Sequence, residues 1–299
     1  MNETFSIELS SGIRLSCRAA GPATAPVLLF LHGFPEAAFV WDELLEHFAS
    51  RYRCIAPNLR GYERSSAPPE VEAYRARHVV ADIVALIDKL GAPVEALVAH
   101  DWGGGIAWNL AVQHPHLLKR LVIINSPHPA TFLRELQTSP AQQATSAYMN
   151  FLCRPDAEQL LAEDDFARLW PFFIPHGATG ADWLTDAVKD QYRSVWRQGL
   201  SGALNYYRAS PLRPPTAEDA SVMKLQFAPE FVTVRVPTLV IWAEADTALP
   251  PTLLDGLEAF VPTMKLVRIP GATHWVIHEQ PARIAREIDA VLGEAHTTT

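Results

Sequence analysis

A chain of 299 residues is long enough for one large domain or two ordinary ones. With 48% hydrophobic and 19% charged residues it is no disordered, collagen-like or coiled-coil chain. Its 25 basic and 33 acidic residues leave a net charge of −8, a surface that repels a phosphate backbone and argues against nucleic acid as a partner.

In chain order, Phe5–Leu9 and Arg14–Arg18 alternate apolar and polar residues around Ser10, Ser11 and Gly12, which predicts a hairpin. Val27–Leu31 is a continuous apolar run ending at His32 and Gly33, the pattern of a strand buried on both faces. Trp41, Leu44, Leu45 and Phe48 recur at helical spacing over Trp41–Ala49, and Tyr52–Ala56 reads as the next short strand. Val79, Ile83, Leu86, Ile87 and Leu90 form one stripe of a helix over His78–Leu90, closed by Gly91. A strand at Ala96–Ala99, a helix at Gly104–Gln113 and a strand at Leu121–Ile124 follow. From Pro127 the rhythm stops. The stretch 128–230 is rich in aromatics, Pro and polar residues, with helix-like pieces and no convincing buried strand. Alternation resumes with a strand at Thr238–Trp242, a helix at Pro251–Phe260, a strand at Lys265–Ile269 and a helix at Pro281–Leu292. Strands alternating with helices predict an α/β fold, a mostly parallel sheet flanked by helices. The expected organisation is one core, residues 1–127 and 231–299, interrupted by a helical insertion over 128–230. The terminal Thr297, Thr298 and Thr299 are expected to fray.

Cys17, Cys54 and Cys153 lie far apart with no CxxC, which argues against a disulfide framework or a zinc site and fits a reducing compartment. The start, Met1-Asn2-Glu3-Thr4, is polar and acidic where a signal peptide needs a basic start and an apolar run. The longest apolar stretch, Ala25–Leu31, falls well short of the ~18 residues of a membrane span. The basic set includes only 5 Lys and no Lys-rich tail that would hold the chain on a membrane. A cytoplasmic protein without a membrane partner is expected, with a homodimer left open.

The chemistry concentrates at Val98-Ala99-His100-Asp101-Trp102-Gly103-Gly104. A strand ends, one polar residue takes the apex, and small residues open a helix, the context of a nucleophile elbow with Asp101 where the usual motif has Ser. The plainer reading makes Asp101 a helix N-cap. His32-Gly33-Phe34-Pro35 follows the first buried strand, and acids (Glu244, Asp246) and a histidine (His274) stand just beyond the last two strands. The order Asp101, Asp246, His274 is that of a nucleophile, an acid and a base.

On the stretches HGFPE (His32–Glu36), HDWGG (His100–Gly104) and Leu204-Asn205-Tyr206-Tyr207-Arg208, the chain resembles the α/β-hydrolase superfamily. Within it the likeness is to the epoxide hydrolases, an Asp-nucleophile branch shared with haloalkane and haloacetate dehalogenases. The resemblance covers nearly the whole chain and implies an α/β-hydrolase fold with 128–230 as its helical cap. It implies Asp101 as nucleophile, His274 as base and Asp246, in preference to Glu244, as the acid that orients the base. It also implies a cis bond before Pro35 and oxyanion donors in the backbone N–H groups of Phe34 and Trp102. Two cap tyrosines would donate to the epoxide oxygen: Tyr207, which matches the pattern LNxYR, and Tyr148, seven residues before Pro155. Tyr206 is ~100° round the helix from Tyr207, so only one of the two can face a substrate. The implied substrates are a small apolar epoxide and water, and the implied reaction needs no cofactor or metal.

Two positions depart from the family's DxRGYGxS pattern: Asn58 and Glu63 stand for its Asp and second Gly, which puts that turn in doubt. A dehalogenase using the same Asp is the nearest rival. Haloacetate enzymes resemble HDRxxR, where this chain has Trp102 and Gly105; others take their acid after the sixth strand, where it has Asn125 and Ser126. Paired tyrosines suit an alkoxide better than a halide. A serine esterase lacks its GxSxG here, and a non-catalytic ligand-binding member of the fold has no need of an intact Asp–Asp–His set. Of the other histidines, His274 and His278 are spaced as a metal pair but lack a carboxylate motif, His114 and His116 read as a solvated turn, and His100 as a packed, hydrogen-bonded residue. Trp170, Phe172, Phe173 and Trp183 suggest an apolar pocket.

Overall fold

The computed structural model describes residues 2–91, 93–174 and 181–293; the terminal threonines expected to fray lie outside them. Eight strands form one sheet: β1 (Glu3–Glu8), β2 (Arg14–Ala20), β3 (Val27–Leu31), β4 (Arg53–Pro57), β5 (Ala96–His100), β6 (Leu121–Ile124), β7 (Thr238–Ala243) and β8 (Met264–Ile269). Their order is β1-β2-β4-β3-β5-β6-β7-β8. β1 pairs antiparallel with β2, and β2 with β4; every other pairing is parallel. Every residue of β5, β6 and β7 is buried, as strands covered on both faces require. That is why their sequences read as unbroken apolar runs rather than alternating ones.

The parallel strands all end on one side, so the segments that follow them gather along one rim of the sheet. Helices α1 (Asp42–Phe48), α2 (Ala76–Leu90) and α3 (Trp102–Gln113) come from the first half. Gly91 ends α2 in the left-handed region at φ +84°, as its sequence position predicts. Between β6 and β7 the described residues contain no strand. They form α4 (Pro129–Thr138), α5 (Pro140–Thr145), α6 (Tyr148–Leu152), α7 (Ala157–Phe166), α8 (Asp186–Trp196) and α9 (Ser201–Ala209), with short 3₁₀ helices among them. After β8 come α10 (Val276–Glu279) and α11 (Pro281–Gly293).

One predicted helix is absent. Pro251–Phe260 forms two 3₁₀ turns, Pro251–Leu254 and Leu257–Ala259, instead of one α-helix. Asp255 between them is extended and Gly256 sits at φ +72°, a conformation that no α-helix contains. The apolar spacing there reflects Leu253, Leu254 and Leu257 reaching the core from separate turns.

In the turn at Asn58–Ser65 the two departing residues meet each other. Glu63 takes the left-handed conformation (φ +48°) that a glycine would otherwise fill. Its carboxylate accepts hydrogen bonds from the Asn58 amide and from Ser16 Oγ at 3.0 Å. A carboxylate at position 58 would face Glu63 with like charge; the amide donates instead. This turn also seats the insertion. Gly61 and Gly202 of α9 pack backbone against backbone, and a Cβ on Gly202 would collide with the Gly61 main chain. The depth at which α9 lies over the sheet is thus set by two main chains.

The insertion is fastened to the rim by hydrogen bonds as well as by packing. Trp196 Nε1 donates to the Pro35 carbonyl at 2.7 Å, and Trp275 Nε1 donates to the Phe172 carbonyl at 2.8 Å. Phe173 packs closely on two aromatic rings, at centroid distances of 4.4 Å from Trp275 and 4.7 Å from Tyr192.

Candidate active site

The turn between β5 and α3 holds Asp101 at φ +49°, a left-handed conformation rarely taken by a residue with a side chain. The surroundings hold it there. Ser126 Oγ donates to the Asp101 carbonyl at 2.7 Å, and the Gly105 N–H donates to the same oxygen at 3.1 Å. Gly103 lets α3 start hard against β3, since a Cβ at that position would collide with the Leu31 carbonyl. The result is a carboxylate lifted out of the sheet, as an elbow requires.

Two groups face that carboxylate. The Phe34 N–H donates to Asp101 Oδ1 at 2.7 Å from the loop after β3, which carries the cis peptide bond before Pro35. His32 holds this loop: its Nδ1 lies 2.9 Å from the Gly33 carbonyl, and its Nε2 accepts the Leu59 N–H at 3.1 Å. Burial lowers its pKa to about 4, so it stays neutral. On the other side His274 Nε2 lies 3.8 Å from Asp101 Oδ2. Trp102 opens α3, where a backbone N–H has no intrahelical partner.

His274 Nδ1 is bound at 2.7 Å by Asp246 Oδ2. Asp246 is fully buried as a side chain and accepts further bonds from the Ala248 and Leu249 N–H groups (each 2.9 Å) and from Asn125 Nδ2 (2.9 Å). Asn125, at φ +40°, also accepts the Ala243 N–H at 2.8 Å. The position that could have carried an acid therefore carries an amide that steadies one. Glu244 points elsewhere and pairs with Arg268 at 3.2 Å.

The charges fit this geometry. Burial works to lower the His274 pKa, but the charge and hydrogen bond of Asp246, joined by Asp101, raise it to about 9. Asp246 is held below the usual carboxylate range: burial acts to raise it, and the charge and hydrogen bond of His274, with the hydrogen bonds from Asn125 and the Leu249 N–H, together outweigh that. Because the histidine's folded-state value lies above its ordinary 6.5, the pairing contributes stability that is complete below about pH 6.5 and is lost as pH rises through about 9. A rise from 6.5 to about 9 corresponds to a contribution of about 3 kcal/mol. The melting temperature should therefore fall between pH 7 and 10, and Asp246→Asn should flatten that part of the profile. An Asp246→Asn profile as steep as the wild type's would place the titration in another group.

Two tyrosines from the insertion close the site. Tyr207 packs edge-on against Trp102 (5.0 Å), Phe34 (5.2 Å) and Tyr148 (6.2 Å). Tyr148, Tyr207 and Asp101 line the same two cavities. Burial, followed by nearby ionisable groups including Asp101, pushes both phenols up, so both are protonated at neutral pH. Tyr206 lines only the larger of these cavities, and its hydroxyl is engaged elsewhere, donating to the Arg60 carbonyl at 3.0 Å.

The remaining histidines behave as their surroundings dictate. His100 is buried, with Nε2 on the His274 carbonyl (2.9 Å) and Nδ1 on Glu36 (3.2 Å). His278 meets Glu36 at 2.6 Å, whereas His274 meets Asp246. His114 caps a short 3₁₀ turn, Pro115–Leu117, and His116 lies within it, the first half-buried and the second exposed. Glu36 itself, with its further partner Tyr192 (2.8 Å), is visible in sequence only as the last letter of HGFPE. Nothing in the pattern of α8 singles out Tyr192 from the other aromatics of the insertion.

An aspartate at a strand-to-helix turn, backed by a histidine–aspartate pair on this sheet, makes the chain an α/β-hydrolase. Residues 26–281 match the family described as the alpha/beta hydrolase fold. The chain is 33% identical over 292 residues to Epoxide hydrolase 4 of Mus musculus, covering 95% of this chain and 77% of that one. It is 32% identical over 292 residues to Epoxide hydrolase 3 of Xenopus tropicalis, covering 95% and 76%. Among solved structures, the Bacillus megaterium epoxide hydrolase in complex with an inhibitor superposes with a TM-score of 0.88 at 32% identity, covering 97% of this chain and all of that one. The chain belongs to the epoxide hydrolase family of the α/β-hydrolases.

Proposed function

We propose that the protein hydrolyses epoxides to vicinal diols through an alkyl ester on Asp101, with 128–230 as the cap that brings Tyr148 and Tyr207 to the ring oxygen. The observation that carries this is the Asp101 carboxylate held between the Phe34 N–H and His274 in a cavity that both tyrosines line. Displacement at a saturated carbon needs a ready anion and no proton removal, which a carboxylate supplies and a serine does not. One Asp101 oxygen forms a bond to a ring carbon while that carbon's bond to the epoxide oxygen breaks. The oxygen takes a proton from one of the two phenols.

In the second step His274 takes a proton from water, and the resulting hydroxide attacks the ester carbonyl. The Phe34 and Trp102 N–H groups hold the oxyanion. On its collapse the leaving oxygen takes the proton of the new carboxyl, which frees the diol and returns the carboxylate. The proton held by His274 goes back to the phenolate. Ester formation neutralises Asp101 and so removes one of the charges that keep a proton on His274. The imidazole is pushed toward its basic form at the step that needs a base. Asp246 fixes its tautomer. The same residues serve a dehalogenase, so the test is a panel of epoxides and haloalkanes given to the purified protein. Diol formation is expected; halide release without any epoxide turnover would assign the site to the rival chemistry.

Tyr207→Phe should slow ring opening on the order of 10²–10⁴-fold, the usual worth of general acid help, and Tyr206→Phe far less. Tyr148→Phe combined with Tyr207→Phe should be slower than either alone, since each phenol can serve when the other is missing. Single-turnover rates read this directly, and equal losses at 206 and 207 would show that the α9 face is assigned wrongly.

A further inference from the structure

Two cavities meet at Asp101, Tyr148 and Tyr207. One, of about 320 Å³, lies on the His274 side. The other, of about 570 Å³, extends on the far side of the nucleophile and follows α3. Trp102, Gly105, Ile106, Asn109 and Gln113 line it, and steps of three and four residues put these on one face of the helix. From Trp102 to Gln113 that face runs about 16 Å, at 1.5 Å per residue.

Gly105 leaves the face open close to the nucleophile. A Cβ there meets nothing nearer than the Trp102 ring, at 3.9 Å. Asn109 turns its amide back onto the Gly105 carbonyl (2.8 Å), so the helix engages this polar group. The facing wall is apolar, with Phe132, Met149, Leu212 and Leu249. At its far end the cavity reaches the surface: Phe227 and Phe231 line it and are 36% and 70% exposed. With Met223 (46%) they are the large hydrophobic side chains exposed among the described residues. Exposed apolar groups gathered at the rim of a cavity mark a binding site. Gln137 pins the segment that carries them, donating to the Val222 and Leu225 carbonyls at 2.8 and 2.9 Å.

We propose that this lobe seats a long apolar substituent, so that the preferred substrates are epoxides with the ring at Asp101 and an alkyl chain laid along α3 to the Phe227–Phe231 mouth. The proposal rests on the epoxide hydrolysis argued above. With C–C bonds of ~1.5 Å a zigzag chain advances roughly 1.3 Å per carbon, so the lobe takes about a dozen carbons. Its volume falls in the ~300–1,000 Å³ range of pockets that enclose a whole ligand, and a small epoxide leaves most of it without apolar contact. Binding energy available only to the longer chain favours the longer substrate.

The test is kcat/KM for a series of terminal 1,2-epoxyalkanes of increasing length. Each added methylene should raise it roughly three- to four-fold, the factor for burying one CH₂, until the gain stops near a dozen carbons where the chain emerges at the mouth. Asn109→Phe, partway along α3, should move that plateau to shorter chains, and Gly105→Leu, nearer the nucleophile, to shorter ones still. Melting curves show whether each variant is folded. Epoxide turnover that is flat or falls with chain length, or a plateau unmoved in both folded variants, overturns the proposal and leaves epoxide hydrolysis standing. No turnover of any epoxide removes the reading beneath it as well.

Discussion

Asp101→Asn is expected to abolish the first turnover of ring opening, a loss on the order of 10⁴–10⁶-fold, the scale seen when a covalent enzyme loses its nucleophile. The amide is nearly isosteric with the carboxylate, and its carbonyl oxygen can still accept the Phe34 N–H that now reaches Oδ1 at 2.7 Å. The fold should therefore survive while the charge and the nucleophile disappear. Burst kinetics on freshly purified protein measure the effect, and an intact mass checks that the amide has not reverted to Asp. Ring opening at the wild-type rate in protein of the right mass would remove Asp101 from the mechanism.

His274→Gln should have the opposite appearance, a first step without a second. Asp101 still attacks, but the imidazole that stood 3.8 Å from it is gone and nothing takes a proton from water, so the ester accumulates. Both halves of an opened epoxide stay joined through the other carbon, and the trapped protein gains the whole mass of the substrate. A halide would add its mass less that of the departing hydrogen halide. Intact-protein and peptide mass spectrometry should find the epoxide adduct on the peptide containing Asp101. An adduct formed only with halogenated compounds would transfer the site to dehalogenation, and none with either class would leave Asp101 without its assigned role.

Much of this was legible in the sequence for physical reasons. Strands buried on both faces must be apolar throughout, so Val27–Leu31 and Leu121–Ile124 stand out as unbroken runs. Chemistry on such a sheet sits just beyond its strands, which places Asp101, Asp246 and His274 on one rim from their positions in the chain alone. The one-residue step from Tyr206 to Tyr207 separates a structural hydroxyl from one in the site. What stayed hidden depends on long-range contact or on local backbone shape. Gly256 breaks a helix that apolar spacing alone supports. The open face of α3 reads as ordinary helix, because Gly105 and Asn109 acquire meaning only from the empty space beside them. Glu36 finds Tyr192 and His278 from 156 and 242 residues away, a separation that no periodicity reports.

That buried carboxylate has a consequence for how this protein can vary. Glu36 is fully buried, and its two oxygens are shared among His100, His278 and Tyr192. Burial alone would raise its pKa; the hydrogen bonds of the two histidines hold it well below the usual carboxylate range, so the charge persists. The four side chains come from the loop after β3, from β5, from α10 and from α8 of the insertion. A change at any of the three partners leaves the Glu36 carboxylate an incompletely compensated buried charge, a strongly destabilising condition, and a change at Glu36 leaves the three without their shared acceptor. Substitutions at 36, 100, 192 and 278 are consequently not independent: their costs do not add, and the neutral routes between alternative residues run through paired replacements. Stretches of chain that never adjoin in sequence are thereby bound to change together.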